Sequence, residues 1–134
     1  MKFKFAAATA ALFALSLSTM SSADDKLKYE DLVHCAATNQ VVAGVLSLDD
    51  GATKNKADID TYNGQAAALM AIASVGSNKE VKVVQADTST EVDAIIKILG
   101  DKDKSSDWIK TEVPKCKSLG EAAVQVVNES KSSK

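Results

Sequence analysis

Two cysteines, Cys35 and Cys116, are the residues of this 134-residue chain best placed for covalent chemistry. They lie far apart and no C-x-x-C pair occurs, which argues against thiol redox work and for a structural disulfide. Such a bridge would close a loop of about 80 residues, worth roughly 4 kcal/mol in the chain-entropy account. His34, the single histidine, directly precedes Cys35. An imidazole there could bind a metal or sense pH. With both cysteines committed, however, a zinc ion would find only carboxylates to add, a poor ligand set. The phase of His34, beside Lys28, Asp31 and Thr38, marks it as a solvated surface side chain. No serine can be assigned a histidine base on spacing, and no C-x-x-C-H sequence is present to attach haem. The expectation is a chain without catalytic residues, metal site or cofactor.

Four other residues could contact a ligand or a partner. Asn39 falls one turn after Cys35 on an apolar stripe, where a buried amide must be hydrogen-bonded. It can set helix register or hold a ligand. Thr88 occupies a similar place, though threonine can bond its own helix carbonyl. Tyr62 adds a hydroxyl on another stripe. Trp108 either caps one end of the core or anchors a protein partner. Asn63-Gly64, followed by Ala66-Ala67-Ala68, suggests close backbone approach to a neighbouring helix. Asp58 and Asp60, and Asp101, Asp103 and Asp107, gather where helices begin and complement the macrodipole there. Asp101-Lys102-Asp103 lacks the remaining positions of a calcium loop.

These side chains must be positioned by helices, because apolar residues recur at three- and four-residue spacing in four segments. The first runs from about Lys26 to Leu48, carries Tyr29, Leu32, Cys35 and Asn39, and ends at Asp49-Asp50-Gly51. The second, from about Asp58 to Val75, has Ile59, Tyr62, Ala66, Leu69 and Ile72 in register and closes at Gly76-Ser77-Asn78. The third starts with a Ser77-x-x-Glu80 capping box and runs to Gly100. Its strand-like Val81–Val84 and the run Thr88–Glu91 leave room for a kink. The fourth, from about Ser105 to Asn128, contains Pro114, where a kink is expected. Glu129–Lys134 is a polar tail expected to fray. Short connections favour antiparallel neighbours, so the fold expected is an all-α, up-down-up-down four-helix bundle. Cys35 and Cys116 fall on the inner stripes of the first and fourth helices, which that topology makes adjacent.

The first 23 residues read as a secretory signal peptide: Lys2 and Lys4, an apolar run from Phe5 to Leu17, then Ser21-Ser22-Ala23. The run is too short to span a bilayer, which takes about 20 apolar residues. Cleavage after Ala23 would leave a single domain, 24–134, in the periplasm or outside the cell. The three phenylalanines all lie in that segment, so the core must be built from Ala, Val, Leu and Ile. There is no arginine, and 16 lysines face 18 acidic residues. Such a chain is ill suited to nucleic acid or an anionic membrane surface.

The runs Asp31-Leu32-Val33-His34-Cys35-Ala36-Ala37 and Pro114-Lys115-Cys116-Lys117-Ser118-Leu119 resemble a group of small exported proteobacterial helical proteins. That group has a Cys-Ala-Ala first helix, a late cysteine and no assigned activity. The resemblance implies a disulfide-stapled periplasmic helical domain and carries over no functional residues. The acid-stress periplasmic chaperones are similar in plan only. The expected function is a non-catalytic bundle that acts by binding another protein. The alternatives are a small-molecule binder using the bundle interior, or an acid-stress chaperone.

Overall fold

A computed structural model describes residues 28–132; the signal-peptide reading of 1–23 lies outside the described residues. Five helices follow one another: α1 (Tyr29–Leu46), α2 (Gly51–Lys54), α3 (Lys56–Ser77), α4 (Val81–Leu99) and α5 (Lys102–Ser132). No strand occurs among the described residues. The all-helical class is therefore as expected. The additional element is α2, a single turn in the linker. Gly51 sits there so close to Leu46 that a Cβ would overlap the Leu46 carbonyl oxygen. Asn55 Nδ2 donates to that same carbonyl at 2.9 Å, tying the linker to the end of α1.

Local chemistry explains the boundaries. Asn78 ends α3 in the left-handed conformation (φ 56°), a geometry asparagine tolerates better than most side chains. Lys79 N–H donates back to the Ser74 carbonyl at 3.1 Å across that turn. The capping box expected at Ser77–Glu80 does not form. Ser77 is the last residue of α3 and its hydroxyl donates to the Ala73 carbonyl. Asp101 caps α5 instead, its Oδ1 accepting from Asp103 and Lys104 N–H at 3.0 and 3.3 Å.

Both positions marked as irregular lie within continuous helix. α4 runs unbroken through Thr88–Glu91, and Thr88 Oγ1 donates to the Val84 carbonyl at 2.7 Å inside its own helix. α5 runs unbroken through Pro114. Pro114 and Lys110 are both exposed, so water can take the carbonyl that the proline leaves without a donor. The expected fraying also begins later than Glu129: α5 continues to Ser132, and Ser130 is buried.

α1 is the axis of the molecule. From Leu32 to Asn39 every residue except His34 is buried, so this segment is covered on nearly all sides rather than along one stripe. It packs against α3, α4 and α5, while α4 touches α3 and α5 only lightly. The larger core cluster joins Leu32, Cys35, Leu69, Ile72, Val84 and Val126. A smaller one joins Ala37, Val41, Ile95 and Trp108. Cys35 and Cys116 are bonded, wholly buried, and link α1 to α5.

Candidate functional site

Where α1 ends, α4 ends and α5 begins, the small core cluster opens outward. Val42, Val45 and Leu46 share one face of the last turns of α1, at the spacing that stacks side chains on a helix. Ser105, Trp108, Ile109 and Val113 do the same on the first turns of α5, and Leu99 closes the third side. Between them lies a half-open groove of about 420 Å³. Val45 and Ile109 are 52 % and 55 % exposed, so the rim is apolar as well as the floor. Trp108 is buried beneath it, and its indole N–H has no hydrogen-bond partner among the described residues. Ser105 Oγ donates to the Lys102 carbonyl at 3.1 Å. The groove therefore offers dispersion and burial of apolar surface, with no charged wall.

The polar side chains were gathered elsewhere. His34 is half-buried rather than solvated. Its Nδ1 meets Glu91 Oε1 of α4 at 2.8 Å and its Nε2 meets Glu112 Oε1 of α5 at 2.9 Å. The sequence offered no sign of this, because Glu91 and Glu112 lie 57 and 78 residues away. Burial pushes the Glu112 carboxyl up, but the His34 hydrogen bond and the charges of Lys115 and His34 outweigh it and hold it below the ordinary glutamate value. The carboxylates bracket the ring from opposite sides. No cluster of three or more candidate ligands suited to a metal ion is present among the described residues.

Nearer the start of α1, Tyr29 donates to Asp87 Oδ2 of α4 at 2.6 Å, and Lys79 Nζ sits 3.8 Å above its ring. Burial, with the Asp87 hydrogen bond and charge behind it, pushes the Tyr29 hydroxyl up to about 12.

Of the residues singled out by sequence, Asn39 and Thr88 are wholly buried, Tyr62 is half-buried on α3, and Trp108 alone reaches the groove. Asn39 Nδ2 donates to the Cys116 carbonyl at 3.2 Å and to Gln65 Oε1 at 3.4 Å. Its role is thus to join α1 to α3 and α5 beside the disulfide. The close approach expected at Gly64 lies elsewhere: nothing is within 4 Å of the place a Gly64 Cβ would take. It is Gly120 whose Cβ would stand 2.7 Å from Gln65 and 2.8 Å from Asn39 Nδ2. The groove residues Val42, Val45 and Ile109 were missed because an apolar residue at a helix end carries the same local signal whether covered or open.

No family model matches the chain, and no curated protein and no solved structure is significantly similar to it.

Proposed function

We propose that this chain is a non-catalytic, exported binding domain whose groove receives an apolar group of a partner protein. The observation that carries the reading is the groove itself, with Val45 and Ile109 exposed over buried Trp108. A contiguous apolar surface of this kind marks interaction sites on small proteins, and a buried tryptophan beneath it resembles the anchors of binding hot spots. The chemistry-bearing side chains support a binding role, since His34 is engaged by two glutamates and both cysteines by each other.

The architecture that presents the groove is read as four long helices running up-down-up-down, with α2 as part of a linker. Tyr29 and His34 of α1 meet Asp87 and Glu91 in ascending order on α4, as parallel helices do. Tyr29 meets Lys79 while Asn39 meets Gln65, the order of antiparallel neighbours. Export is supported by the disulfide, which belongs to oxidising compartments. No described helix is long and apolar enough to cross a membrane.

A small apolar molecule is the second reading, because about 420 Å³ falls within the size of small-ligand pockets. Its place is the groove and not the bundle interior, where Asn39 and Thr88 are closed off. One experiment separates the two. Ile109 is replaced by p-benzoylphenylalanine and the protein irradiated in the envelope fraction of its host, with exposed Thr61 as the control position. A discrete protein adduct from position 109 alone is expected. Absence of any adduct, together with stoichiometric binding of the neutral dye N-phenyl-1-naphthylamine that Val45→Arg abolishes, would replace the protein partner with a small ligand.

A further inference from the structure

We infer that α4 is a hinged flap, which swings off α1 as a unit while α1, α3 and α5 stay together, and so lengthens the groove into a trough. The functional consequence rests on the groove being the binding site; the opening itself does not.

Burial is the first argument. Of the 19 residues of α4 only Val84, Thr88 and Ile95 are buried, whereas α1 buries nine of its 18. Apolar surface removed from water is the main force holding one helix to another, so α4 is the least firmly held of the long helices. The covalent link lies elsewhere, between α1 and α5. α4 also makes only light contact with α3 and α5.

What holds α4 in place is polar and specific. Asp87 accepts from the Tyr29 hydroxyl and Glu91 faces His34, one turn apart on α4 and both directed at α1. These groups lie at the margin of the core, so water can replace each partner as the contact parts. That makes them latches: they fix the closed position without the cost that a deep, unsatisfied polar group would impose on opening. The buried polar groups agree with this. Thr88 is satisfied within α4 by the Val84 carbonyl and leaves with its hydrogen bond intact. The Trp108 indole N–H, without a partner in the closed form, gains water when Ile95 withdraws from the small cluster. Closing therefore leaves a donor unsatisfied that opening would hydrate.

The ends of α4 suit a hinge. At one end only Asn78, Lys79 and Glu80 separate α3 from α4, and Asn78 is already in the left-handed region. At the other, Gly100 and Asp101 separate α4 from α5. When α4 departs, Ile95 leaves the small cluster, and Ala37 and Val41 join Trp108 on the groove floor. The opened surface continues the apolar groove along α1 from Val45 toward Ala37.

Amide hydrogen exchange on the oxidised full chain at neutral pH tests this. Amides in the middle of α4, Val84 to Ile95, are expected to share one protection factor, ~10-fold below those of α1 and α5, as a cooperative sub-global unit does. Glu91→Gln should lower α4 protection a further ~3- to 10-fold and leave α3 and α5 unchanged, the size expected for a half-exposed charge-assisted contact. Asp87→Asn, at the other latch, should act the same way. Equal protection of α4 and α1 would overturn the flap. So would graded exchange from the ends of α4 that ignores both substitutions, since that is ordinary fraying. Loss of protection in all helices together would show that the latches serve global stability. A failed crosslink at position 109 with α4 still exchanging as a unit would remove the binding reading and leave the flap.

Discussion

A buried disulfide joins α1 to α5, and both share most of the aliphatic core with α3, while α4 rests on them through two polar latches and a few buried residues, Val84, Thr88 and Ile95. The first arrangement is dominated by burial and by a crosslink that restricts the unfolded chain, neither of which depends on the orientation of a surface side chain. The second depends on hydrogen bonds with a modest net value in water, and so on the protonation and geometry of four or five groups. A domain lacking phenylalanine in its core has limited apolar surface to distribute. Here most of it is spent around α1, and the helix left with least is the one beside the open groove.

Reduction of Cys35–Cys116, or the double substitution to alanine, should break the contrast most severely. The loop spans 81 residues, and the stability lost is expected to be roughly 4 kcal/mol by thermal or urea unfolding. A loss confined to a few tenths would show that the core holds α1 and α5 together unaided. Gly120→Ala strikes the same unit without touching the bond. Its Cβ would collide with Gln65 and Asn39, so a loss of about 1–3 kcal/mol is expected from overpacking, with the urea midpoint as the readout.

Two polar contacts of α1, the Tyr29 latch to α4 and the His34 contact with Glu112 of α5, should give smaller, pH-dependent effects of opposite sign. The Tyr29 hydroxyl is raised from 10.0 to about 12, so the folded state holds this proton more tightly than the unfolded chain. Its contribution is complete below pH 10 and disappears as the pH rises through about 12. Tyr29→Phe should remove that alkaline limb from the stability profile. Glu112 is shifted the other way, below its ordinary value, so its contribution is complete above the unfolded value and disappears as the pH falls through the lower, folded one. Glu112→Gln should flatten the acid limb of the urea midpoint between neutral pH and pH 3. An unaltered limb would place the acid sensitivity in other carboxylates.

The smallest effect sharpens the comparison from outside it. Gly64 lies in the interior of α3 with open space around it. Gly64→Ala should stabilise the protein by about 0.5–1 kcal/mol through helix propensity alone, leaving α4 exchange as it was. A loss at this position would mean that something packs there which the present arrangement does not show.

How much of this was legible in the sequence differs from residue to residue. Cys35 and Cys116 could be paired because they were the only two cysteines and both fell on inner stripes. Thr88 could be placed inside a helix and given its own carbonyl as partner, since that bond spans four residues. Trp108 was singled out by its type, although nothing nearby said that it floors a groove. His34 went astray because its phase was judged against its own helix, when the groups that engage it arrive from α4 and α5. Gly64 and Gly120 show the same limit: each reads as a glycine within a helix, and only the neighbouring helix distinguishes the crowded one.

By itself, then, the sequence determined what interactions within a few residues can determine: the four long helices, about half of their ends, and the inner placement of Cys35 and Cys116. The single cysteine pair added one long-range link. The tertiary structure alone decided that α1 is enclosed by the other long helices, that α4 is held by latches, and that an apolar groove stays open at one end. Those outcomes depend on how helices rotate and slide against each other. Contacts separated by 57, 58 and 78 residues set that geometry, and a periodic pattern along one helix carries no record of them.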